Sequence, residues 1–155
     1  VSKAKAASSS ISEQDLCARH MGIGWCALLI FLSMGLFLES LHGFKAGFYL
    51  DVSSEARRTM WTLSHAHGAL ISVVNIVFGI STTFLPAWPS ASRTRASRCF
   101  IGALVLLPLG FFLGGFFIHG GDPGIGVFLV PPGGLLFVAA VFLTARAALA
   151  QSKLG

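Results

Sequence analysis

Four long apolar blocks alternate with short polar stretches along this chain. The first, Met21 to His42, contains no Lys, Arg or Asp and a single acid, Glu39, in its last turn. The second, Leu63 to Leu85, holds no formal charge beyond what His65 and His67 can take up, and Pro86 and Pro89 stop it. The third runs from Cys99 to Ile118 and the fourth from Ile125 to Ala148. Each is close to the roughly 20 residues that an α-helix needs to cross a bilayer. The pattern predicts an all-α integral membrane protein. Its architecture is an antiparallel up-down four-helix bundle with spans at 21–42, 63–85, 99–118 and 125–148, forming one transmembrane domain over 21–148. Residues 1–20, rich in Ala, Ser and Lys and without apolar periodicity, read as a flexible tail ending in a short interfacial turn near Leu16, and 149–155 as a second tail. Met21 to Leu41 is longer than a signal-peptide core and lacks a small-x-small cleavage site, so it reads as an uncleaved span.

The connections refine this picture. Ser53 or Ser54 is placed to cap the second helix upstream of its apolar part, which sets Arg57, Arg58 and Trp61 at headgroup level. Only His119 to Gly124 separates the last two blocks, and its Asp-Pro-Gly predicts a tight turn, with proline fixing φ and glycine tolerating positive φ, so that these spans are antiparallel neighbours. Pro108 and the run Pro131, Pro132, Gly133, Gly134 predict kinks or a broken turn, tolerated in lipid where neighbouring groups satisfy the freed backbone, so the fourth span faces protein there. His65, Gly68, Ser72, Asn75 and Gly79 form one stripe of the second helix, and Gly110, Gly114 and Gly115 notch the third. Both faces are expected to meet other helices, with Asn75 in a helix-to-helix hydrogen bond.

Composition agrees. Of the 155 residues, 54% are hydrophobic and 11% charged, outside the range of soluble globular domains. The net charge of +5 does not point to nucleic acid, because the basic residues flank the apolar blocks without an interleaved basic and aromatic patch. Instead it orients the chain. Lys3, Lys5, Arg19, Arg93, Arg95, Arg98, Arg146 and Lys153, eight of the eleven basic residues, fall on one side. By the positive-inside rule both termini and the middle loop are cytoplasmic, with a bacterial inner (plasma) membrane as the expected location. Lys45, Arg57 and Arg58 dissent. Cys17, Cys26 and Cys99 have no disulfide or zinc-knuckle spacing and are expected to pack as small hydrophobes.

Aligned by depth, four of the five histidines gather at the outer boundary: His42 ends the first span, His65 and His67 open the second, and His119 ends the third. Glu39 lies one turn below His42 and Asp122 three residues beyond His119. Imidazole and carboxylate are ligands of first-row metals, and a Glu-x-x-His pair such as Glu39 and His42 shares one helical face, as in di-metal bundles. His65 and His67 diverge by about 200° around a helix, so only one joins a shared site; His65, on the small-residue stripe, is the choice. Copper or zinc would suit His42, His65 and His119 completed by Glu39 or Asp122. Haem b would need two imidazoles on opposing helices, drawn from His42, His65, His67 and His119.

The stretch Trp61, Thr62, Leu63, Ser64, His65, Ala66, His67, Gly68 resembles the histidine-bearing second helix of haem-copper oxidase catalytic subunits. That resemblance implies haem as a ligand of this helix. Four spans supply none of that family's other ligand helices, so it implies no catalytic role. The functional expectation is a subunit of a larger membrane complex or homo-oligomer, not an enzyme on its own, with an outer His/Glu/Asp cluster for a metal or haem. The alternatives are an accessory subunit with no cofactor and a small transporter using Glu39, an acid inside a span.

Overall fold

The computed structural model describes residues 13–153, and their regular structure is helical. α1 is Glu13–Gly43, α2 is Gly47–Leu50, α3 is Glu55–Thr83, α4 is Ser90–Phe116 and α5 is Val130–Gln151. Single 3₁₀ turns, Val52–Ser54 and Ile125–Leu129, precede α3 and α5. The four long helices pack antiparallel, and each carries an apolar stretch long enough to cross a membrane. The chain is an integral membrane protein.

The helices outrun the apolar blocks that predicted them. α1 begins at Glu13, so residues 13–20, expected in the flexible tail, are helical, and Leu16 and His20 within them are buried; residues 1–12 lie outside the described part. α4 begins at Ser90, so Arg93, Arg95 and Arg98 ride on its first turns and not in a loop. α5 likewise continues through Gln151, past the expected end of its span. Hydropathy marks the part of a helix that lipid touches. Backbone hydrogen bonding carries the helix on into the headgroup zone.

Packing runs in a row, α1 on α3, α3 on α4, α4 on α5, with no extensive contact between α1 and α5. The inner helices, α3 and α4, are 44% buried over their most apolar stretch, whereas α1 is 11% buried and the fourth span 17%. The outer pair therefore gives most of its surface to acyl chains, and Leu29, Leu36, Leu135 and Val138 are exposed on it. In water that exposure would be prohibitive; in lipid it costs nothing, because acyl chains are as apolar as leucine.

The turns differ from expectation in instructive ways. Helix α3 does start at Glu55 behind Ser54, but the Ser54 hydroxyl donates to Phe48 O at 2.8 Å instead of capping the helix. In the α4–α5 turn, positive φ falls on Gly120 (62°) and Gly121 (92°), while Gly124 stays at −67°. His119 and Asp122 bond each other's backbone across those two glycines, a two-residue reversal that needs positive φ at both central positions. Pro131 and Pro132 do not break a helix; they begin one, within its first turn, where the missing N–H groups would have no partner anyway. The break is the change from 3₁₀ to α-helix at Val130, with Gly133 buried against Leu107. Pro108 lies inside an unbroken α4. One turn and two turns past the carbonyl that proline frees, Leu104 O, α3 adds side-chain bonds to the α4 backbone: Ser64 Oγ donates to Pro108 O at 2.8 Å and Trp61 Nε1 to Phe112 O at 3.2 Å.

The dissenting arginines have structural work. Arg57 donates to Phe48 O at 2.8 Å and to Gly115 O at 3.3 Å, with its guanidinium 5.9 Å from the centre of the Trp61 ring. Arg58 donates to Tyr49 O at 2.8 Å and Asp51 O at 2.9 Å. The pair ties the α2 corner down onto α3 through Phe48 O and Tyr49 O, end carbonyls of a helix only four residues long.

Candidate functional site

At the α2 end of the row, a column of aromatic rings crosses all four helices from α1 to α4. His42 meets Tyr49 edge-on at 5.2 Å, Tyr49 stacks on Trp61 at 6.2 Å, and Trp61 stacks on Phe112 at 5.9 Å. Tyr49, only 1% exposed, is the keystone that α2 drops between α1 and α3. Beneath it lies a half-open groove of about 300 Å³ lined by Leu32, Gly35, Glu39, His42, Thr62 and His65. Three of the six predicted site residues, Glu39, His42 and His65, therefore share one groove. Glu39 and His42 come from the last turns of α1, and His65 from α3 opposite them.

His65 is held tightly. Its ring lies flat against Gly35, where an added Cβ would stand 2.8 Å from Nδ1 and 2.9 Å from Nε2, so only glycine leaves room. Nδ1 sits 2.7 Å from Phe31 O. A carbonyl only accepts, so Nδ1 carries the proton, and Nε2 is the nitrogen left with a lone pair. A metal-binding histidine is typically prepared in just this way, one ring N–H pinned to a backbone carbonyl and the other nitrogen presented.

The remaining predicted residues stand elsewhere. His67 turns away from α1, as its two-residue offset from His65 requires: Nδ1 donates to Leu63 O at 2.9 Å and the ring packs 4.9 Å from Phe111 of α4. His119 and Asp122 form the exposed α4–α5 reversal and do not line the groove. Among the described residues, no three His, Cys, Asp or Glu side chains come together as a ready metal shell. Cys17, Cys26 and Cys99 are free thiols.

The best-built polar cluster is at the opposite end and centres on His20, which sequence reasoning set aside. His20 is fully buried, its Nδ1 2.9 Å from Asn75 Oδ1 of α3 and its Nε2 2.8 Å from Ser97 Oγ of α4. Asn75 Nδ2 is committed to Ile71 O at 2.9 Å, which turns Oδ1 toward the ring. A neutral imidazole satisfies every group: Nδ1–H donates to Asn75, and Nε2 accepts from the Ser97 hydroxyl. Phe78 closes the pocket edge-on at 4.6 Å. With both nitrogens engaged, His20 has nothing left for a ligand; it is the polar pin of three helices. Asn75 was the available signal, since an amide deep in a span calls for a polar partner on a neighbour.

Fold and groove together define a four-span integral membrane protein with a histidine-bearing groove at the end opposite the start of α1 and the close of α5. Comparison with known protein families, with curated proteins and with solved structures finds no match to the chain.

Proposed function

We propose that this protein is a subunit of a larger membrane complex, in the bacterial inner membrane with both termini cytoplasmic, and that its outer groove between α1 and α3 takes a first-row metal ion, copper or zinc. The observation that carries this reading is His65: Nδ1 pinned to Phe31 O, Nε2 free, and the ring in a groove it shares with Glu39 and His42. His65 is the anchoring ligand. Glu39 and His42, exposed on the last turns of α1, do not stand with His65 as a finished shell; they swing in to supply a carboxylate and a second imidazole when the ion binds, and water or a neighbouring subunit completes the shell. His119 and Asp122 take no part. Haem b is the less supported occupant, because the imidazoles on facing helices, His42 and His65, border a groove that Tyr49 already partly fills.

One observation favours a second reading, an accessory subunit with no cofactor. Three histidines, His20, His65 and His67, already spend ring nitrogens on protein acceptors. Elemental analysis separates the two readings. Protein purified without chelators, then equilibrated with zinc or copper and desalted, is expected to retain about one ion per chain. His65→Ala is expected to lose it, and His119→Ala to keep it. Metal-free protein after equilibration, or undiminished binding by His65→Ala, contradicts the metal site and leaves the accessory reading.

A further inference from the structure

At the end of the row where α4 starts and α5 closes, the two helices part around a second, larger groove of about 560 Å³. Trp88, Pro89, Ser92, Arg95, Leu143 and Arg146 border it. Arg95 is five residues from the start of α4 and Arg146 five from the end of α5, so in antiparallel helices both guanidinium-bearing positions lie about 8 Å inside the helix ends, at one depth. With the apolar stretches of α4 and α5 in the hydrocarbon, that depth falls at the headgroup zone. No carboxylate lines the groove among the described residues, and Arg95 has no partner there. Arg146 is held 5.8 Å from the centre of the Phe142 ring, which faces it with an aromatic surface and no counter-charge. Trp88, 5% exposed, forms the floor.

We propose that this groove binds one anionic phospholipid, its phosphate between Arg95 and Arg146 and its glycerol and upper acyl chain against Trp88 and Leu143. Two guanidiniums without a carboxylate partner among the described residues, beside an apolar seam, complement a phosphodiester attached to hydrocarbon. A free phosphate would leave the apolar wall without a partner, and an acidic protein segment would have to enter the headgroup layer to reach it. The site is independent of the metal groove, which lies at the other end of the row.

Native mass spectrometry of delipidated protein, offered an equimolar mixture of phosphatidylglycerol and phosphatidylcholine, tests the proposal. One retained phosphatidylglycerol per chain is expected, favoured about 25-fold over phosphatidylcholine, since each of the two interfacial cations contributes about a fivefold preference. The preference is expected to fall about fivefold in Arg95→Gln or in Arg146→Gln and to vanish in the double variant. Both side chains are exposed, so the single variants are expected to keep the wild-type melting temperature in phosphatidylcholine micelles. Equal retention of the two lipids by the wild type, or an unchanged preference in both single variants, overturns the site. Displacement of the lipid by millimolar inorganic phosphate reassigns it to the free anion, and persistent binding of a co-purified acidic protein in place of lipid reassigns it to that partner.

Discussion

His20→Leu is expected to destabilise the folded protein by about 2–3 kcal/mol, although the leucine nearly matches the imidazole in size. The substitution leaves Asn75 Oδ1 and the Ser97 hydroxyl without their partner in a pocket that admits no solvent, since His20, Asn75 and Ser97 are all buried. An unpaired buried polar group costs about 1–3 kcal/mol, while hydrogen bonds between membrane helices measure nearer 0.6 kcal/mol because the unfolded chain finds partners too. Two orphaned groups place the sum between these limits. Reversible unfolding in mixed micelles reads it directly. Adding Asn75→Leu is expected to restore part of the loss, since the amide that His20 left unpaired is then gone too. A His20→Leu protein within about 0.5 kcal/mol of wild type would mean that the pin is not holding the three helices.

Gly24→Ala and Gly22→Ala are expected to move stability in opposite directions, although they are two residues apart on α1. A Cβ at Gly24 would lie 2.9 Å from Ser72 O and 3.1 Å from Ile76 N, both backbone atoms of α3 that cannot swing aside. α1 must then lift away from α3, at a cost of about 1–3 kcal/mol. At Gly22 nothing lies within 4 Å, so alanine there brings only its better helix propensity, a gain of about 0.5–1 kcal/mol in water and less in lipid. Thermal unfolding of the two variants side by side checks the sign. Equal effects would show that the α1–α3 contact is looser than the packing described.

Much of the architecture was legible in the apolar blocks, since lipid demands long uncharged stretches and the helix is the structure that satisfies its own backbone there. What could not be read was where each helix stops. Glu13 to His20 and Ser90 to Arg98 are polar or mixed, yet they continue helices that begin in lipid, and no hydropathy boundary marks their ends. Proline was misread for a related reason: Pro131 and Pro132 look like breakers inside an apolar run until the 3₁₀ turn Ile125–Leu129 makes them a helix start. The site was half legible. Helical spacing put Glu39 and His42 on one face and His65 apart from His67, and the structure places the first three around one groove. Depth alone grouped His119 and Asp122 with them, but depth carries no information about lateral order. In a row α1, α3, α4, α5, the α4–α5 turn and the α1–α3 groove lie apart at the same end. His20 escaped notice because its partners, Asn75 and Ser97, are distant in sequence and meet only once three helices pack.

Everything proposed for the two grooves rests on four crossings with the α2 corner and the α4–α5 turn on one face of the membrane. Single cysteines at exposed positions, in a chain whose Cys17, Cys26 and Cys99 are replaced by serine, test this with a membrane-impermeant maleimide. Ser53→Cys and Pro123→Cys are expected to react in intact cells, and Ala91→Cys and Ser152→Cys only after the membrane is opened. Reversed labelling would contradict the orientation, and labelling of Ser53→Cys and Ala91→Cys from the same side would contradict the four crossings.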